Sequence, residues 1–186
     1  KVRMIDCVGY IVPSALGYIE GEAPRMVKTP WFEEEVPFNM AAEIGTRKVI
    51  SEHSTIGLVV TTDGSISEIP RNEYKDAEER VINELKEINK PFITLLNCKE
   101  PNSEGAKALA SELTEKYSVT VLPVNCLELG KNGINEILSG ILTEFPIKEI
   151  KIDLPGWITS LEKTHWLRGE IFGKISSLAA DLKKIK

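Results

Sequence analysis

Residues Phe92-Ile93-Thr94-Leu95-Leu96-Asn97 decide the fold. The run is apolar and rich in branched side chains without alternation. That pattern belongs to a strand covered on both faces in a parallel sheet, because a strand with one wet face places a polar residue at every second position. Three further runs share it, at 2–7, 56–61 and 119–124. Helix-period segments lie between them. Residues 38–53 set Met40, Ile44, Val49 and Ile50 near one stripe, and 72–89 set Ala77, Val81, Leu85 and Ile88 on one face with Glu and Lys opposite. Residues 103–117 and 132–145 supply two more helices, the latter with Ile134, Ile137, Leu138 and Ile141 in register. Strand and helix alternating at this pitch predict an α/β fold, a doubly wound, mostly parallel sheet with right-handed crossovers. After Pro146 the pattern changes: 147–154 reads as an exposed strand, Pro155-Gly156 as a turn and 157–184 as one long helix. The expected organisation is therefore a domain over 1–146 and the start of a second region over 147–186.

The bulk composition restricts the function classes. Of the 186 residues 42% are hydrophobic and 27% charged, which suits a packed core and excludes a disordered chain. A net charge of -5 argues against binding by neutralisation of nucleic-acid phosphates; the basic cluster is confined to Lys183, Lys184 and Lys186. Cys7, Cys98 and Cys126 have no CxxC spacing, and being odd in number cannot all pair, so they read as reduced thiols packed at strand ends. No apolar run approaches the roughly 18 to 20 residues that span a bilayer, and no signal-peptide pattern is present. A soluble protein of the cell interior is expected. The chain opens inside an apparent buried strand with no initiator Met, so it is also expected to be a fragment.

In open parallel sheets ligands sit beyond the carboxyl ends of the strands. The first run ends Asp6-Cys7-Val8-Gly9. P-loop GTPases and their relatives place Asp and Gly at this spacing: the Asp holds magnesium, usually through water, and the bare Gly N–H approaches the terminal phosphate. A strand ending in Asp before a Gly turn also has a purely structural reading. The third run ends Asn97-Cys98-Lys99-Glu100, where a GTPase carries Asn-Lys-x-Asp. Cys98 stands in the position of the base-covering Lys, and Glu100 in that of the guanine-reading Asp. The departure points to a looser or adenine-binding pocket, with Asn97 alternatively a strand-end residue satisfying loop backbone. Asn125-Cys126 ends the fourth run near the expected base loop. Nowhere does the chain contain G-x-x-x-x-G-K-[ST], the loop that wraps nucleotide phosphates.

The segment 10–37, with Tyr18, Trp31 and Phe32 among glycines and prolines, occupies the place of a phosphate-responsive switch. Arg25 and Lys28 could reach phosphate oxygens there, or be solvated surface like Glu33-Glu34-Glu35. Thr61-Thr62-Asp63-Gly64-Ser65 reads as a turn, with Asn72 capping the helix that follows. His53 and His165 have no partners at metal-ligand spacing.

Taken together, Arg3-Met4-Ile5-Asp6-Cys7-Val8-Gly9-Tyr10, Pro24-Arg25-Met26, Thr29-Pro30-Trp31, Ala41-Ala42-Glu43-Ile44-Gly45-Thr46-Arg47-Lys48-Val49-Ile50, Glu52-His53-Ser54-Thr55-Ile56-Gly57, Thr61-Thr62-Asp63-Gly64, Ala77-Glu78-Glu79-Arg80-Val81, Phe145-Pro146 and His165-Trp166-Leu167-Arg168 resemble the stage IV sporulation protein A family. The likeness covers essentially the whole chain. It implies a P-loop fold of the TRAFAC GTPase-like type that hydrolyses ATP with Mg2+, and a scaffold whose self-assembly forms the basement layer of the bacterial spore coat. It implies as partners the protein itself, spore coat proteins and a small amphipathic membrane-anchoring peptide, with no nucleic acid and no transmembrane span. The implied location is the mother-cell cytosol at the outer surface of the forespore. Asp6 matches the family's magnesium-site aspartate, while the family's phosphate-loop lysine and sensor threonines match nothing in this chain. The resemblance thus implies a piece of the ATPase domain without its phosphate loop, inactive in hydrolysis by itself, followed by the opening of a middle domain. The competing reading is a non-catalytic assembly module on a P-loop-like fold.

Overall fold

The computed structural model describes residues 2–147 and 149–182. Its centre is a three-stranded parallel sheet of β5 (Gly57–Thr62), β6 (Phe92–Asn97) and β7 (Val121–Val124), in the order β5-β6-β7. Gly57 to Thr62 pair with Phe92 to Asn97, and Thr94 to Asn97 with Val121 to Val124. Four short strands precede it as two antiparallel pairs, β1 (Ile19–Glu20) with β2 (Ala23–Pro24) and β3 (Met26–Val27) with β4 (Val36–Pro37). The helices are α1 (Phe38–Lys48), α2 (Arg71–Glu87), α3 (Glu104–Tyr117), α4 (Lys131–Thr143), α5 (Gly156–Thr159) and α6 (Trp166–Asp181).

The fold is α/β, with helices on both faces of the sheet, and β6 shows why its sequence does not alternate. Phe92 and Leu96 enter a core with Ile82 and Leu85 of α2 and with Ala110, Leu113 and Tyr117 of α3. Ile93 and Leu95 enter a second core with Val124 of β7 and Ile137 of α4. Both faces being dry, each position gains from an apolar side chain. β7 carries Pro123 opposite Leu96 on the outer edge of the sheet, where a missing N–H breaks no ladder bond. At the start of β5, a Cβ on Gly57 would lie 3.1 Å from both Leu85 Cδ2 and Phe92 Cβ, so any larger residue would have to push these side chains back by a few tenths of an ångström.

Several expectations need correction. Residues 2–7 form no strand. They find no ladder partner among the described residues, so their backbone groups turn to water, with Val2 68% and Met4 83% exposed. The expected strand at 147–154 is likewise absent among its described residues, with Ile150 and Ile152 exposed; Lys148 lies outside them. The single long helix at 157–184 is two helices, and 183–186 lie outside the described residues. α5 stops because Thr159 Oγ1 and Ser160 Oγ donate back to the Gly156 carbonyl, at 2.8 and 2.9 Å, while Arg168 donates to the carbonyls of Thr159 and Leu161. α6 then starts afresh at His165, whose Nδ1 accepts from the Leu167 N–H at 3.2 Å.

The buried faces of α1 and α2 agree only in part with those expected. α1 buries Ala41, Ala42 and Thr46 and leaves Met40 exposed, while Ile50 just beyond it packs against the core; α2 buries the expected Leu85 together with Glu78 and Ile82, keeps Val81 half-buried against the same core and exposes Ile88. Glu78 is accommodated by an ion pair. Arg71 Nη2 lies 2.8 Å from its carboxylate, and Tyr117 Oη donates to Oε1 at 3.0 Å, joining the start of α2 to the end of α3. Asn72 caps nothing: it lies inside α2, and the N-cap position is Pro70, whose side chain has no acceptor to offer the first helical N–H groups.

The described residues divide into two compact units, one ending at Ile141 and one beginning at Leu142, within the last turn of α4.

Candidate functional site

Two groups of residues stand where the sequence placed function. The first surrounds Asp6 and Gly9. Asp6 is exposed, and among the described residues no hydrogen bond or ion pair holds its carboxylate. Gly9 has φ +80°, a conformation that costs a residue with a Cβ roughly 1–2 kcal/mol, although there is open space around it. Its N–H donates to Thr46 Oγ1 of α1 at 2.9 Å, and Thr46 is 3% exposed. The next residue, Tyr10, donates its hydroxyl to Glu84 Oε2 of α2, and Arg80 lies over its ring at 4.9 Å. Arg80 in turn binds both oxygens of Glu43 of α1, at 2.9 and 2.7 Å, and Glu84 Oε1 at 3.2 Å. Burial, then the hydrogen bond and charge of Glu84, hold the Tyr10 phenol above its ordinary range. The Ser14 N–H adds a bond to Glu73 Oε2 at 2.9 Å. The loop after Asp6 is therefore fastened to α1 by a backbone bond and to α2 by side chains.

The segment 10–37 is irregular for most of its length, as expected, and contains the two short antiparallel pairs. Its Trp31 packs on α1, where a Cβ on Gly45 would meet the ring at 3.0 Å. Arg25 contributes backbone, its N–H to the Tyr18 carbonyl at 2.9 Å and its carbonyl to the Phe38 N–H at 2.8 Å, while its side chain and Lys28 are exposed. α1 continues beyond Lys48 as a π-helical segment, Val49–His53.

The second group lies at the carboxyl ends of β5, β6 and β7. Asn97 Oδ1 accepts from the Cys126 N–H at 3.0 Å, pinning the loop after β7 to the end of β6. Asp63 Oδ1 accepts from the Ser65 N–H and hydroxyl at 2.8 and 2.6 Å, and Ser65 Oγ accepts from the Lys99 N–H at 3.0 Å. Asn125 Nδ2 donates to the Lys99 carbonyl at 3.2 Å. Cys98, in the position of a base-covering lysine, is instead turned into the core with no exposed surface, its Sγ 3.7 Å from the Val124 carbonyl. Burial, helped by the charge of Asp63, pushes its thiol pKa up. Glu100 opens the turn before α3, its carbonyl accepting from the Ser103 N–H and Oγ, and its carboxylate is exposed and without a partner among the described residues.

The structure thus brings Asn97 together with Asp63, Ser65, Lys99, Asn125 and Cys126. No hydrogen bond or ion pair among the described residues joins that group to Asp6 or Gly9. Thr46, Tyr10, Arg80, Glu43 and Glu84 escaped the sequence reading, because a helical Thr and charged residues at helical spacing look like ordinary surface.

The sequence model of the ATPase domain of stage IV sporulation protein A matches residues 1–146, and that of the same protein's middle domain matches 147–186. The chain belongs to the stage IV sporulation protein A family. It is 50% identical over its full 186 residues to stage IV sporulation protein A of Clostridioides difficile (strain 630), and 46% identical to the proteins of that name from Bacillus anthracis and Bacillus subtilis (strain 168). In each case it spans 38% of the relative's length. No solved structure matches it. The family is one of sporulation proteins with an ATPase domain, and the three-stranded parallel sheet with its flanking helices is the α/β core of that domain. Among the described residues no helix is long and apolar enough to cross a membrane.

Proposed function

We propose that the full-length protein carrying this chain is a Mg-ATP-hydrolysing scaffold that self-assembles into the basement layer of the spore coat. It would act in the mother-cell cytosol at the forespore surface, with coat proteins and a small amphipathic membrane-anchoring peptide as further partners. The match of residues 1–146 to the family's ATPase domain carries this reading.

The residues present suit one side of a nucleotide site. Among the described residues no three His, Cys, Asp or Glu cluster as a metal cage. Magnesium, however, keeps several waters and needs only one or two carboxylates besides substrate phosphates, and the exposed carboxylate of Asp6 fits that role. When held there, magnesium would supply neutralisation of charge on the phosphate oxygens. Gly9 carries no side chain of its own and would add its backbone N–H once a phosphate oxygen replaces Thr46 Oγ1 as the acceptor, and Asn97 and Glu100 are the residues that would meet the base. The phosphate cradle is not encoded in these 186 residues, so ATP turnover by this chain alone is expected to be absent.

Isothermal titration of the full-length protein with ATP and magnesium tests the reading. Saturable heat is expected; no heat under any condition leaves the non-catalytic assembly module in its place.

A further inference from the structure

The N–H of Gly9 is already spent. One amide hydrogen serves one well-directed acceptor, and Thr46 Oγ1 holds it at 2.9 Å from a side chain that is 3% exposed. We propose that Thr46 is a positioning residue of the nucleotide cycle: its hydroxyl competes with the terminal phosphate for the Gly9 N–H, and so sets how strongly the protein distinguishes ATP from ADP. The inference rests on the nucleotide-binding reading above.

A phosphate oxygen that recruits Gly9 must displace Thr46, and the surroundings of Thr46 relay that displacement. Its neighbour Gly45 lies against the Trp31 ring of the 10–37 segment, so closely that a Cβ there would meet the ring at 3.0 Å, which places Trp31 where a shift of α1 at Thr46 would be felt. Glu43, one turn earlier, is gripped by Arg80, which also covers Tyr10 next to Gly9. On the other side α1 runs into the π-helical segment Val49–His53, a wide turn of the kind through which helices change register. The exchange at Gly9 is therefore wired to the 10–37 segment and to α2. A neutral hydrogen bond exchanged for another acceptor has a modest net effect, which suits a bias rather than a lock.

The test uses full-length protein with Thr46→Val, which keeps the shape and removes the acceptor, and Thr46→Ser, which keeps the hydroxyl. In titrations with magnesium, Thr46→Val is expected to bind a non-hydrolysable ATP analogue about 3- to 10-fold more tightly while leaving ADP affinity unchanged, with Thr46→Ser behaving as wild type. A merely structural role would move both affinities together or neither, and either result overturns the inference. Hydrogen exchange without nucleotide gives a second readout. The Gly9 amide is expected to lose protection in Thr46→Val and keep it in Thr46→Ser; protection unchanged in Thr46→Val overturns the contact itself. If wild-type protein binds no ATP analogue, the nucleotide-binding reading falls and the inference with it. If wild type binds and Thr46→Val keeps the wild-type ATP-to-ADP ratio, the inference alone falls.

Discussion

Replacing Glu78 by alanine removes the one acidic side chain that α2 buries. Its carboxylate is 2% exposed and the Arg71 side chain 15%. Arg71 Nη2 sits 2.8 Å from both oxygens, but only one accepts a well-directed bond, so the other oxygen and Arg71 Nε remain buried without a hydrogen-bond partner. The site is thus stabilised by charge pairing and by the Tyr117 hydroxyl rather than by full satisfaction. Alanine leaves the guanidinium uncompensated and Tyr117 without its acceptor. Breaking a buried pair from one side costs about 3–5 kcal/mol, and the partial exposure of Arg71 favours the lower end. With a urea slope of about 2 kcal/mol per molar, the midpoint should fall by about 1.5 M. Glutamine, which keeps the volume and an acceptor, should lose about half as much. The double replacement Arg71→Met with Glu78→Leu should lie closer to wild type than Glu78→Leu alone, since the desolvation of both charges disappears together. Arg71→Met alone completes the double-mutant cycle, and urea unfolding followed by circular dichroism measures all five. A Glu78→Ala midpoint within error of wild type, or strictly additive effects at the two positions, would refute the description of a buried, coupled pair.

Two smaller predictions concern the core and the Tyr10 contact. Gly57→Ala should destabilise the chain by about 1–3 kcal/mol in the same unfolding assay, because its Cβ would press on Leu85 and Phe92 at 3.1 Å. Tyr10 is raised in the folded state by burial and Glu84, so above its unfolded pKa of about 10 the unfolded chain sheds a proton that the folded chain keeps. The contribution of Tyr10 is complete below that pH and fades as pH rises beyond it. Unfolding profiles from pH 9 to 11 should therefore be flatter for Tyr10→Phe than for wild type.

What could be read from the sequence depended on how many elements a residue answers to. β6 was legible to the residue, because burial on both faces leaves an unmistakable apolar run, and Ser103 announced α3, its hydroxyl capping the Ala106 N–H. The apolar run at 2–7 carried the same signal yet forms no strand, because strand formation requires a partner and composition does not supply one. On α2 the helical period marks the buried Leu85 and the half-buried Val81 but not the fully buried Glu78 and Ile82. Glu78 is polar in sequence and buried only because Arg71 and Tyr117, seven and thirty-nine positions away, converge on it. Asp6 and Gly9 could be named from their spacing. Thr46 could not, since its bond to Gly9 spans thirty-seven positions and a threonine inside a helix has no mark of function.

The most direct measurement is ATP turnover by full-length protein in the presence of magnesium, wild type against Asp6→Ala, with folding of the variant verified by circular dichroism. If Asp6 holds the metal side of the site, turnover should fall by about 100-fold or more. Unchanged turnover in a folded Asp6→Ala protein would contradict the assignment of Asp6 and Gly9 to a nucleotide site.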